Sequence, residues 1–192
     1  MKEKQDLVGF ENHEYRPFIR ENTKSLLIKL LQKHQPQKVL EIGTFLGYSA
    51  SIILETLPNC SLKTIEKDKQ KSIDAQKNLS VFAERVEVIN LDAIEFLQSN
   101  TEKFDFIFLD GAKGQYYKYL PFLEQALNIG GVLLTDDVLF YGLVNSDQKI
   151  EHKHRTIVNN LRKYLQMLQD NPNFKTEIFD FDDGVSVSVK IK

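Results

Sequence analysis

At 192 residues the chain is long for a small module and short for two domains, so one domain with a single core is expected, and a hydrophobic share of 42% is ample for it. Basic (25) and acidic (27) residues nearly balance, and a formal charge of −2 does not announce a nucleic-acid binder. The single cysteine, Cys60, excludes an intrachain disulfide, the start MKEKQDLVGF has no apolar secretion segment, and no run approaches the roughly 18 apolar residues of a membrane span; together these predict a soluble, cytoplasmic protein.

Residues 1–18 read as a polar lead-in to a single domain spanning 1–192. From Ile19, apolar residues at Ile19, Leu26, Leu27, Leu30 and Leu31, with Thr23, make a helical stripe that Pro36 stops. VLEI (39–42) is a buried strand, and Gly43 and Gly47 bracket a turn into a helix over 48–57. LKTIE (62–66) is a second strand, 68–82 a helix, RVEVIN (85–90) a third strand, 92–97 a helix, and FDFIFLD (104–110) the most apolar strand, which makes it central. Tyr116, Tyr119, Leu120, Leu123 and Leu127 share a helical face, Pro121 marks a possible restart of that helix, and Gly130-Gly131 end it. VLLTDD (132–137) is the fifth strand, 138–149 a loop, and 151–168 an amphipathic helix. FKTEIFDF and GVSVSVKI form an antiparallel hairpin through Asp182-Asp183-Gly184. The fold class is therefore α/β: a doubly wound, Rossmann-like sheet of seven strands, mostly parallel with a C-terminal antiparallel hairpin.

In such a sheet, ligands sit at the carboxyl ends of the strands, and those ends are acidic here. The stretch from Val39 to Ser49 makes a cofactor cradle, in which glycine lets a ligand approach the backbone. Its GxxxG spacing lacks the denser glycines of a pyrophosphate site, and Glu41 inside it suits a cationic amine. The plainer reading is a buried βα turn without a ligand. Glu66 can accept both hydroxyls of a ribose; Asp92 has the simpler reading of a helix cap. Asp110, Asp136 and Asp137 would bring three carboxylates together, which calls for protonation or a bridging cation. Oxygen ligands without a His or Cys cluster favour Mg²⁺ or Ca²⁺. Lys113, three residues beyond Asp110, is the candidate base if its surroundings lower its pKa.

EIGTFLGYS, TIEKD, LDA, DGAK and TDDVLF, taken together, resemble the Mg²⁺-dependent O-methyltransferases of the catechol and caffeoyl-CoA type, which use S-adenosylmethionine; the similarity runs from about Ile19 to the C-terminus. The resemblance implies that Ser49 and the Ile19 main chain hold the methionine portion, with Glu41 and Gly43 in the same cradle. It implies Glu66 at the ribose, Asp92 and Ala93 beside the adenine, Mg²⁺ on Asp110, Asp136 and Asp137, and Lys113 at the acceptor hydroxyl. It also implies a homodimer. The family usually has Asp-Asn where this chain has Asp136-Asp137. VLFYGLVNS and DDGVSVSVK look most like the bacterial enzymes that convert 5-hydroxyuridine at the tRNA wobble position to 5-methoxyuridine. The expected partner is thus tRNA, with Lys149, Lys153, Arg155, Arg162, Lys163, Arg16 and Arg20 available to phosphates. A small catechol-like acceptor, or a Rossmann nucleotide-binding module without catalysis, are the alternatives.

Overall fold

A computed structural model describes residues 19–147 and 149–192; the lead-in expected over 1–18, and Arg16 within it, lies outside the described residues. The elements are α1 (Glu21–His34), β1 (Lys38–Ile42), α2 (Tyr48–Thr56), β2 (Ser61–Ile65), α3 (Lys69–Asn78), β3 (Val86–Ile89), α4 (Ala93–Ser99), β4 (Phe104–Leu109), α5 (Tyr116–Ala126), β5 (Leu127–Thr135), α6 (His152–Asp170), β6 (Phe174–Phe179) and β7 (Val185–Lys190). The strands form one sheet in the order β3-β2-β1-β4-β5-β7-β6, parallel from β3 to β5 and antiparallel where β7 joins β5 and β6. The order in which strands are added reverses between β1 and β4. No helix among the described residues is long and apolar enough to cross a membrane.

The central strands read as continuous apolar runs because both faces are covered. Successive residues alternate between two cores. Leu40, Ile42, Ile107, Leu109 and Leu133 pack with Tyr116, Leu123, Leu161 and Tyr164 under α5 and α6. Val39, Phe106, Phe108, Val132 and Leu134 pack with Leu27, Leu31 and Ile53 under α1 and α2. Each such side chain, fully buried, contributes roughly 1.5–3 kcal/mol of transfer free energy, and the β1–β4 seam lies between the two buried layers.

Three boundaries differ from the sequence expectation. The helix expected over 68–82 ends at Asn78, and a 3-10 turn follows over Ser80–Phe82, because Leu79 closes the last turn onto Ala75 and its own carbonyl then accepts from Phe82. Pro121 does not restart α5, which runs unbroken through it after a 3-10 turn at Lys113–Gln115. Gly130-Gly131 do not end that helix either. Leu127 leaves it to pair with Phe104 as the first rung of β5, and a register shift before the Phe106–Val132 pair absorbs the glycines. The apolar contact that spacing assigned to a helix face is made by a strand.

Candidate active site

The turn after β1 is built by close approach. Gly43 sits at φ +105°, its N–H and that of Thr44 donate to the Ile65 carbonyl (3.0 and 3.3 Å), and a Cβ on it would lie 1.9 Å from the Asp110 carbonyl oxygen. Only glycine allows β1 and the end of β4 to meet this way. Gly47, at φ +87°, then opens α2. On the neighbouring strand end, Glu66 accepts from the Phe45 N–H and the Asp68 N–H, both at 2.9 Å. Its carboxylate is thus fixed at the rim of the turn. Asp92 accepts from the Ile94 N–H at 3.0 Å and caps α4, so the plain capping role holds for it.

These groups line one cleft of about 1110 Å³ that runs across the carboxyl ends of the strands. Gly43, Phe45, Glu66, Asp92 and Ala93 line it with Asp110, Lys113, Asp136 and Asp137. Ile19, Glu41 and Ser49 are not on its walls. Ile19 is buried before α1, and Ser49 donates to Glu41 at 2.5 Å beneath the turn.

Asp110, Asp136 and Asp137 do share a region, at the ends of β4 and β5. Asp136 is 4% exposed and accepts from Asp137 N–H (2.8 Å) and from Thr23 Oγ1 (3.4 Å). Burial, with Asp110 and Asp137 adding their charge, pushes its carboxyl up to about 8; burial lifts Asp110 to about 6, with Lys113 opposing. Asp137 turns to Lys113, Nζ to Oδ2 2.6 Å. Burial pulls the Lys113 ammonium down, but Asp137, Asp110 and Asp136 outweigh it, and its pKa is raised. A base needs the opposite shift, so the expectation of a lowered lysine is not met in this arrangement. Among the described residues no three His, Cys, Asp or Glu side chains stand close enough to hold a metal ion as placed. The donor chemistry nevertheless fits a hard divalent cation: the three side chains offer only oxygens, and two are disfavoured as anions by burial, with neighbouring carboxylate charge adding to it, which a cation would offset.

Sequence reading missed part of the cleft wall. Phe140 and Tyr141, at φ 44° and 56°, line it from the loop after β5, and the Phe140 ring meets His154 at 5.5 Å. Asp182 and Asp183 look like turn residues, yet both reach across the fold. Asp183 lines the cleft, pairs with Arg20 at 2.7 Å and accepts from Tyr141 N–H at 3.3 Å. Asp182 accepts from Asn22, from Thr23 N–H and from Thr23 Oγ1, capping α1 from a distance of 159 residues in the chain. The one available signal was a second acid in a turn that needs only one.

A parallel sheet with this order, a glycine turn and acid on the first two strand ends, and a carboxylate–lysine group on the next two defines an α/β enzyme of methyltransferase architecture. The family model for O-methyltransferases matches residues 13–191, and the chain belongs to that family. It is 30% identical over 157 residues to a catechol O-methyltransferase of Niastella koreensis, spanning 78% of this chain and 69% of that protein. Among solved structures, a candidate caffeoyl-CoA O-methyltransferase from Staphylococcus aureus superposes with a TM-score of 0.83 at 28% identity, covering 91% of this chain and 85% of that one. TomG from Streptomyces achromogenes, an O-methyltransferase of tomaymycin synthesis solved in complex with SAM, shares the fold with a TM-score of 0.81 at 24% identity, over 91% and 82% of the two chains. A Rossmann module without catalysis is thereby set aside.

Proposed function

We propose that the chain transfers the methyl group of S-adenosylmethionine to a hydroxyl lying beside a second oxygen, on a small acceptor of the catechol or hydroxycinnamoyl kind. The observation that carries this reading is the division of one cleft: a glycine turn with a fixed carboxylate at one end, three aspartates and a lysine at the other. S-adenosylmethionine supplies an electrophilic methyl on a cationic sulfur. Glu66, already oriented by two backbone amides, would hold the ribose, with Asp92 and Ala93 beside the adenine. Gly43 leaves the floor open for the ligand. Asp110, Asp136 and Asp137 would hold Mg²⁺, a Lewis acid that eases ionisation of a bound hydroxyl. Lys113 steers the acceptor oxygen, and it takes a proton only after Asp137 lets it go. Phe140 and Tyr141 give a flat acceptor a wall on the same side.

A second reading keeps 5-hydroxyuridine of tRNA as the acceptor, because its 5-hydroxyl and O4 present the same oxygen pair. What favours it is the Phe140–His154 contact, which sets the first turn of α6, with Lys153 and Arg155, beside the cleft wall. The test is methyl transfer from labelled S-adenosylmethionine to a catechol and hydroxycinnamoyl panel and to hypomodified tRNA, each with Mg²⁺ and with EDTA. Transfer to the small acceptors is expected. Transfer to tRNA alone replaces the first reading by the second, and transfer to neither removes both. Operation as a homodimer in the cytoplasm goes with the same proposal, and sedimentation of the pure protein checks the dimer.

A further inference from the structure

Asp137 follows β5 with its backbone at φ 57°, a left-handed turn that aspartate tolerates better than most side chains. Its Oδ2 stands 2.6 Å from the Lys113 ammonium, and both side chains line the cleft while staying mostly covered, at 20% and 26% exposure. A carboxamide at 137 could not make this ion pair. The lysine side chain is the free part of the contact. Its backbone is pinned, because Gln115 N–H donates to the Ala112 carbonyl at 2.7 Å and Asn160 Nδ2 on α6 donates to the Gly114 carbonyl at 2.8 Å. The flexible methylene stem can then carry the ammonium to and from the carboxylates without moving the turn.

Three carboxylates meet at this end of the cleft, and Lys113 is the cation set among them. Burial works against its charge, while Asp137, Asp110 and Asp136 all work for it. The same oxygens are the ones that the metal reading assigns to Mg²⁺. As placed, they are not gathered around a common point: no three acidic, His or Cys side chains among the described residues stand close enough to hold an ion, and one oxygen of Asp137 faces the ammonium instead. A divalent ion drawn in by these carboxylates repels an ammonium bonded to one of them. One gains Asp137 only as the other leaves it.

We propose that Lys113 is the resident counter-ion of the carboxylate group and competes with the divalent cation for Asp137. Asp137 is then a positioning residue for the lysine: it holds the ammonium back while no metal is bound, and releases it toward the acceptor end of the cleft when its carboxylate turns to the cation. The lysine that serves the acceptor thereby limits how tightly the metal binds. This rests on the metal reading proposed above and goes beyond it, by making metal binding the event that frees Lys113.

Calorimetry of Mg²⁺ added to protein stripped with EDTA reads the competition. Lys113→Met keeps an unbranched side chain and removes the charge, and it should bind Mg²⁺ roughly tenfold more tightly than the wild type, the scale of one hydrogen bond to a charged group. The same change should gain clearly less on an Asp137→Asn background, where the pair is already gone; simple repulsion between lysine and metal would give equal gains on both. A second measurement needs no variant. In the wild type, amine acylation read by peptide mass spectrometry should mark Lys113 faster in Mg²⁺ than in EDTA, with exposed Lys175 on β6 as the unchanged reference. Wild-type or weaker Mg²⁺ affinity in Lys113→Met, equal gains on the two backgrounds, or a labelling rate that Mg²⁺ does not raise overturns the competition. A wild type that takes up no Mg²⁺ in calorimetry overturns the metal reading instead.

Discussion

Gly43→Ala is the sharpest perturbation the structure offers, because it strikes the contact that joins the cofactor turn to the carboxylate group. The backbone at φ +105° is one that an L side chain rarely adopts, and the new Cβ would stand 1.9 Å from the Asp110 oxygen, 2.6 Å from its carbonyl carbon and 3.1 Å from Gly111 N. All three are backbone atoms, so relief requires moving β1 away from β4, between the two buried layers of the sheet. Strained backbone alone costs on the order of 1–3 kcal/mol, and displacement of packed main chain adds to it, for a total of at least about 3 kcal/mol. Two other glycines calibrate the scale. Gly142, at φ +73° with nothing within 4 Å of a new Cβ, isolates the backbone term, and Gly142→Ala should cost about 1 kcal/mol. Gly47→Ala should fall between them, since the nearest atoms to the Cβ at φ +87° belong to the side chain of Leu79, at 3.0 Å, and not to backbone. Urea unfolding of the three variants reads the order directly. If Gly43→Ala costs no more than Gly142→Ala, close approach to Asp110 is not what this glycine provides.

Glu66→Ala should weaken S-adenosylmethionine binding by about 1.5–3 kcal/mol, the worth of hydrogen bonds to a charged group, and unchanged affinity in calorimetry removes Glu66 from the ribose site. EDTA should abolish methyl transfer and Mg²⁺ restore it; Asp110→Ala should be inactive, while Asp137→Asn keeps activity and releases Lys113 from its ion pair, and full turnover in EDTA removes the metal. Metal-free protein should melt at lower temperature as pH rises from about 5 to about 9, because Asp110 and Asp136 are raised to about 6 and about 8 and each loses its stabilising protonated form across that window. Mg²⁺ should recover most at the alkaline end, and a metal-free melting temperature that climbs with pH refutes the assignment of buried, mutually repelling carboxylates.

The fold was legible because its signals are local and repeated. Unbroken apolar runs marked strands covered on both faces, amphipathic stripes marked helices, and the Asp182-Asp183-Gly184 turn marked the hairpin. The failures came where two local signals competed. Gly130-Gly131 carry the mark of a helix end, but Leu127 is worth more as the first rung beside Phe104, and the glycines were left to a bulge. The site was legible at strand ends, since topology alone brings the end of one parallel strand beside the next. Depth was not legible. Glu41 and Glu66 are both acids near strand ends, yet one is sealed under the turn and the other stands at the cleft, and only the three-dimensional path of the chain from Gly43 to Gly47 separates them.

Charge was the least legible property of all. The sequence offered Lys149, Lys153, Arg155, Arg162 and Lys163 on or just before one helix, with Arg16 and Arg20 at the entry to another, but the fold gives most of the described ones a contact within the chain. Arg162 donates to the carbonyls of Val144, Leu143 and Ser146 and so holds the loop that carries Phe140 and Tyr141. Arg20 pairs with Asp183, Lys163 lies over the Tyr117 ring at 4.5 Å, and Lys153 pairs with Glu151. Three of the donors of Arg162, on Nε and one terminal nitrogen, are thus committed to the loop. Of the proposed phosphate contacts in the described residues, Arg20, Lys149, Lys153, Arg155, Arg162 and Lys163 are all exposed, but of these six Arg20 alone lines the cleft. The cleft wall itself carries Glu66, Asp92, Glu95, Asp110, Asp136, Asp137 and Asp183 against Arg20, Lys67, Lys113 and Lys118. That excess of carboxylates is suited to a cationic methyl donor and a divalent ion, and it leaves little positive charge over for an anionic acceptor, which is why the small catechol-like substrate stands first.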